Sequence, residues 1–257
     1  MADAFISVNQ CKNCGHPVSD AYCSHCGQRA DVARISASYV LQEFFHFLTN
    51  IRHLFFLTSL RLLLSPGTVT EEFIEGKRRK YQPPVSYFLI WITIYILLLS
   101  LIELSASSGR PIDYGQYFGP RKTTAYAISH LGVVLTAVVP FQAAYLYFSI
   151  SRGRFTYFET IAAVIYLIGT IILLQSVFVL VVWLIHFVGV GAVNLASSDV
   201  LKVAYLTWFS ADLARKFPLR MRALRVVVFV GLAFGTFSVW RLYGVPALFQ
   251  AIHFEGG

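Results

Sequence analysis

Pro84-Val-Ser-Tyr-Phe-Leu-Ile-Trp-Ile-Thr-Ile-Tyr-Ile-Leu-Leu-Leu-Ser-Leu-Ile-Glu-Leu104 runs for nineteen residues before its first ionisable carboxylate, Glu103. About 20 apolar residues in helical form cross the hydrocarbon of a bilayer, so this stretch reads as a membrane span. Four further stretches have the same character, near 125–149, 159–188, 198–214 and 226–249. The fold class expected is an all-α polytopic membrane protein with about five transmembrane helices. Composition agrees, because 56% of the 257 residues are hydrophobic and only 13% are charged. A soluble domain carries about 25% charge, and half of that cannot cover a water-facing surface. A soluble enzyme, a disordered regulator and a secreted disulfide scaffold are thereby excluded.

Upstream of Pro84 the chain is different. Residues 31–64 place Val40, Phe44, Phe47, Leu48, Ile51 and Leu54 at helical spacing, largely away from Gln42, His46, Thr49, Asn50 and His53. Such a helix lies in the membrane interface. Leu54–Leu64 is apolar but too short to cross alone, and reads as interfacial or re-entrant. Joining it to the preceding helix would give six spans, at the cost of Arg52 and Arg61 near the midplane, about 2.5–3.5 kcal/mol each. Ser65-Pro66-Gly67 reads as a break. A polar connector, 71–81, then ends in the cations Lys77, Arg78, Arg79 and Lys80, placed to meet anionic headgroups.

The distribution of positive charge sets the orientation. Sixteen Lys/Arg lie before the first span, in the 150–157 loop and in the fourth-to-fifth connection, against Arg110, Arg121, Lys122 and Arg241 on the other side. Cytoplasmic loops hold the excess of Lys and Arg, which puts the N-terminus in the cytoplasm and the C-terminus outside. The opening Met1-Ala-Asp-Ala-Phe5 has no basic or apolar leader, so no cleavable signal is expected. The net charge of +8 lies at the ends of apolar stretches, a pattern for headgroups and not for nucleic acid.

All four cysteines fall in the first 30 residues, as Cys11-Lys-Asn-Cys14-Gly15 and Cys23-Ser-His-Cys26-Gly27. A C-x-x-C turn puts two thiolates on one side of a tetrahedron, and the glycine lets the backbone turn its amides towards sulfur. Two turns close a four-sulfur site that suits structural Zn2+, with Cys11, Cys14, Cys23 and Cys26 as ligands. Iron takes the same ligands, and two disulfides are the other outcome, disfavoured in a reducing cytoplasm. A closed four-thiolate site has no open position for catalysis. His16 and His25 read as bystanders.

The divisions expected are a zinc ribbon at 1–30, an interfacial helix and cationic connector at 31–83, and a transmembrane helical domain at 84–257. This order of signals resembles a bacterial family of integral membrane proteins of unknown function with an N-terminal zinc ribbon. Its pattern is C-x-N-C-G, Y-C-x-x-C-G-Q, P-G and G-K-R-x-x-Y-x-x-P-x-x-Y. Here Cys11, Asn13, Cys14, Gly15 and Tyr22 to Cys23, Cys26, Gly27 and Gln28 match the first part; Pro66, Gly67, Gly76, Lys77, Arg78, Tyr81, Pro84 and Tyr87 match the second. The resemblance covers about the first ninety residues and reaches Tyr157-Phe158-Glu159, where Thr160 stands in place of a histidine. It implies the bacterial inner membrane and brings no activity. The five-span layout after a P-G element also looks like the Yip class, by fold analogy alone.

Ionisable groups inside spans are functional candidates because burial there is expensive. Glu159, Lys202 and Arg241 are the candidates; Glu159 beside Arg152 and Arg154 is equally read as a local ion pair. Asp212 and Lys202 lie near the ends of their stretch and can snorkel. His130 and His186 read as satisfied buried histidines. No nucleophile–base set, phosphate loop or zincin motif is present, so no catalytic residue is assigned. The expected role is a scaffold, assembly or partner-docking factor, the ribbon meeting a protein partner. The alternative is a small-molecule or lipid carrier, with Glu159, Lys202 or Arg241 facing a cavity.

Overall fold

A computed structural model describes residues 9–32, 54–106, 131–187 and 197–239. The interfacial helix expected before Leu54, Arg241, His130 and the connections at 107–130 and 188–196 lie outside the described residues. The protein is mostly helical. After a hairpin of β1 (Asn9–Gln10) and β2 (Pro17–Val18) come α1 (Leu54–Leu64), α2 (Pro66–Ile74), α3 (Pro84–Ala106), α4 (Leu131–Leu146), α5 (Tyr157–Phe187), α6 (Ser197–Arg215) and α7 (Arg222–Val239). A π-helical turn, Tyr147–Ser151, extends α4.

Two of these helices are long and apolar enough to cross a membrane, over Pro84–Ile102 and Tyr157–Ile185. Fewer than half of the residues in either apolar window are buried, at 44% and 39%. Leu97 and Leu101 on α3, and Val177, Leu180, Val181 and Leu184 on α5, therefore face outwards. The other stretches read as spans form helices, but α6 carries Asp199, Lys202, Asp212 and Arg215, which lower its apolarity.

α3 and α5 form the central pair. Gly169 on α5 lets them close: a Cβ there would meet the Tyr87 ring at 2.9 Å. Tyr87 and Tyr166 then meet edge to face, and Tyr87 hydrogen-bonds the Thr170 hydroxyl at 3.2 Å. Around this pair one core runs through Phe88, Ile92, Leu146, Leu167, Phe209 and Phe229. A second joins Phe55, Leu62, Val69, Phe73, Tyr81 and Tyr166. α1 and α2 thus contribute to the bundle's packing.

The break expected at Ser65-Pro66-Gly67 falls at Ser65: α1 ends at Leu64, and Pro66 starts α2. Proline suits the first helical position because its missing N–H has no intrahelical partner there. The next residue lies so close to α6 that a Cβ on Gly67 would fall 2.7 Å from the Leu213 nitrogen. The Gly67 N–H donates to Asp212 Oδ2 at 2.8 Å, so a carboxylate from 145 residues away satisfies one of the orphan amides that open α2. The connector expected at 71–81 is accordingly helical as far as Ile74.

Candidate metal centre and its seat on the bundle

Each knuckle is built by the same hydrogen bonds. The Gly15 N–H donates to the Cys11 carbonyl at 2.8 Å and the Gly27 N–H to that of Cys23 at 2.7 Å. The Cys11 and Cys23 N–H groups donate in turn to the carbonyls of His16 and Gln28, at 2.9 and 2.7 Å. These turns need φ of +75° at Gly15 and +67° at Gly27, open to glycine at no steric cost. Backbone hydrogen bonds from His16 and Gln28 reach the sulfurs of Cys14 and Cys26.

The two knuckles face each other. Cys11 Sγ lies 3.6 Å from Cys26 Sγ, Cys14 Sγ lies 3.7 Å from Cys23 Sγ, and all four sulfurs fall within 4.8 Å of one another. A disulfide needs about 2.05 Å. A tetrahedral metal with bonds of about 2.3 Å to sulfur needs sulfurs about 3.8 Å apart. The observed spacing fits the metal, and the four cysteines could hold one ion. The His16 and His25 rings stack with centroids 5.4 Å apart, both exposed.

The residues that follow Cys26 seat the ribbon on the bundle. Gln28 is 5% exposed. Its Nε2 donates to the Gly76 carbonyl at 2.6 Å, and its Oε1 accepts from the Arg79 N–H at 3.3 Å. The Arg79 guanidinium returns two bonds to the Gly27 carbonyl, at 3.1 Å from Nε and 2.7 Å from Nη2. From the other knuckle, Lys12 Nζ donates to the Val32 carbonyl at 3.3 Å. Gly76 ends α2 at φ +112°, and a Cβ there would press on Lys12 at 3.0 Å and Val32 at 3.2 Å.

The cations expected to face headgroups are engaged within the protein. Glu72 accepts from Lys77 Nζ at 3.0 Å, from Lys80 Nζ at 2.7 Å and from the Tyr81 hydroxyl. Burial raises the carboxyl pKa, but these three donors and the Lys80 charge outweigh it and bring it down to about 2. Tyr81 is pushed well above the ordinary phenol value, by burial first and then by its carboxylate partner. The Arg78 guanidinium lies 5.9 Å from the Phe73 ring centre. Lys77 and Lys80 keep 36% and 40% side-chain exposure.

Glu159, 2% exposed, opens α5. Its Oε2 accepts from the Thr156 N–H at 2.7 Å, and the Thr156 hydroxyl accepts from the Glu159 N–H at 3.3 Å. That is a capping box, a T-x-x-E pattern readable at 156–159. Arg154 goes elsewhere, to Glu71 at 2.7 Å and Glu75 at 3.4 Å. Lys202 pairs with Asp199 at 2.8 Å. A cleft of about 230 Å³, lined by Lys12, Val32, Ile74, Glu75, Arg154, Phe155 and Glu159, lies between the ribbon and the ends of α2 and α5. Lys202 is not part of that lining. Sequence reasoning missed Glu72 as a hub and Asp212 as a cap; the C-G-Q pattern did single out Gln28.

Residues 53–96 match a family model described as a protein of unknown function (DUF3667). The match takes in α1, α2, the Glu72 cage and the first half of α3, and leaves the knuckles outside. No curated protein and no solved structure matches the chain.

Proposed function

We propose that this chain is a multi-pass protein of the bacterial inner membrane, with about five spans, a cytoplasmic N-terminus and an outer C-terminus. In this reading it serves as a scaffold or docking factor. The ribbon of residues 1–30 holds structural Zn2+ on Cys11, Cys14, Cys23 and Cys26 and presents itself to a protein partner. Two apolar helices with outward-facing leucines and valines support the membrane reading. The observation that carries the docking role is how the ribbon is seated. Gln28 and Gly27 bind the bundle, while Tyr22, 59% exposed, and the His16–His25 stack stay open to solvent.

The test is metal analysis with affinity capture on full-length protein, wild type against Cys11→Ser/Cys23→Ser and against Tyr22→Ala. One zinc per chain and a partner lost in both variants, with metal kept in Tyr22→Ala, supports docking. Stoichiometric zinc with no partner in any sample moves the reading to a carrier. The cleft that includes Glu159 favours that second reading, and its test is loss of ligand retention in Glu75→Gln.

A further inference from the structure

Two sets of cations stand out on the expected cytoplasmic side. The first is consumed internally by α2. Glu71 takes Arg154 at 2.7 Å and Lys216 at 3.8 Å, Glu72 takes Lys77 and Lys80, and Glu75 adds a second contact to Arg154. The second set has no carboxylate partner among the described residues: exposed Arg152 in the turn after the π-helical segment, and exposed Arg220 and Arg222 before and at the start of α7.

The two turns that carry this second set are fastened together. Arg225 Nη1 donates to the Ser149 carbonyl at 3.0 Å and Arg225 Nε to that of Arg220 at 3.1 Å, while Arg154 Nη1 reaches the Lys216 carbonyl at 2.8 Å. The three guanidinium groups therefore stand on adjoining, braced backbone, that of Arg152 lying 6.0 Å from the Phe148 ring centre. Helix stability does not explain Arg220 and Arg222, since a cation at the N-terminal end of α7 opposes the helix dipole, whereas Arg152, at the C-terminal end of the π-helical turn, suits the dipole there. Exposed apolar side chains sit on the same two segments: Phe148, Met221 and Leu224 are 64%, 69% and 52% exposed. Met221 takes φ +55°, a left-handed conformation uncommon for a residue other than glycine. The exposed face continues along α7 through Val227 and Val228.

We infer that Arg152, Arg220 and Arg222 form a binding surface for the phosphates of anionic phospholipid, with Phe148, Met221 and Leu224 entering the acyl boundary. Guanidinium groups match phosphate oxygens with paired donors, and each cation near an anionic surface strengthens attraction roughly fivefold. Exposed apolar side chains that run on into an apolar helix face fit a lipid monolayer better than a nucleic acid, which offers no hydrocarbon. The inference rests on the membrane reading above, and it names a headgroup contact separate from Lys77–Lys80.

The test uses full-length protein in a non-ionic detergent, titrated with phosphatidylglycerol or phosphatidylcholine and read by native mass spectrometry. Wild type is compared with Arg152→Gln/Arg220→Gln/Arg222→Gln, with the matching triple lysine variant, and with Lys77→Gln/Lys80→Gln. Expected are a phosphatidylglycerol preference that weakens tenfold or more in the triple glutamine variant, persistence of most of it with lysine, and an unchanged preference in the Lys77/Lys80 variant. Equal phosphatidylglycerol retention by wild type and the triple glutamine variant overturns the inference. So does a 20-nucleotide RNA that displaces the lipid through the same arginines. Alkaline carbonate extraction of cell membranes separates the two failures. A chain that washes off refutes the membrane reading, whereas one that stays while the glutamine variant keeps its lipid refutes this surface alone.

Discussion

Replacing Gln28 by alanine isolates the seat of the ribbon from its metal site. The carboxamide makes two hydrogen bonds to the connector, at 2.6 Å to the Gly76 carbonyl and 3.3 Å from the Arg79 N–H, at a position 5% exposed. Alanine removes both and leaves their partners facing a void too enclosed for easy hydration. A buried polar group left unpaired costs about 1–3 kcal/mol. The longer of the two bonds is weak and the Arg79–Gly27 bonds survive, so a loss near 2 kcal/mol follows, taken as about the middle of that range. Each 1.4 kcal/mol is tenfold in an equilibrium, so local opening of the connector rises about 30-fold. Hydrogen exchange on a peptide spanning Gly76 to Gln82 reads this directly, with zinc content measured on the same sample. Faster exchange with metal retained supports the seat. Unchanged exchange at those amides, with the variant folded and metal-loaded, refutes the claim that Gln28 holds the ribbon to the bundle.

Glu72→Gln should flatten the acid limb of stability. The folded carboxyl pKa of about 2 lies below its unfolded value of 4.5, so its stabilisation is complete above about pH 4.5 and vanishes as pH falls towards 2. With both lysines more than a third exposed, screening limits the effect to about 1–2 kcal/mol, seen as a smaller shift of unfolding midpoint with acid in the variant than in wild type. Gly67→Ala should destabilise although alanine is the better helix former by about 1 kcal/mol, because its Cβ would meet backbone atoms of Asp212 and Leu213 at 2.7–2.9 Å; a melting point in detergent at or above wild type contradicts the close packing. Thr156→Val should remove the cap on α5 and cost about 1 kcal/mol, with phosphatidylglycerol retention unchanged; no fall in thermal stability would leave the capping box without weight.

The helical framework was legible because apolar runs need no partner to be recognised. The stretches read at 84–104 and 159–188 appear as α3 and α5, and those at 198–214 and 226–249 overlap α6 and α7. The cluster of four cysteines was legible because both C-x-x-C pairs are local, and eight residues separate them. What escaped depends on distant contacts. Asp212 read as a snorkelling acid since nothing in its own helix announces Gly67, and the pairing of Lys77 and Lys80 with Glu72 went unseen since Glu72 was counted as connector. Glu159 stood beside two arginines in the sequence, yet its oxygen is taken by the amide of Thr156. That bond answers an unsatisfied helix end, which a reading of neighbouring charges alone does not reveal.

The anchor Gln28 follows Cys26 after one intervening residue, and that residue, Gly27, is itself gripped by Arg79. Arg79 in turn stands only five positions ahead of Pro84, where α3 begins. The linkage from sulfur to transmembrane candidate therefore has almost no slack. A partner pulling on the open face of the ribbon would not swing a tethered ball. It would apply torque to the root of α3, and any strain at the four sulfurs would arrive at the bundle within a handful of bonds.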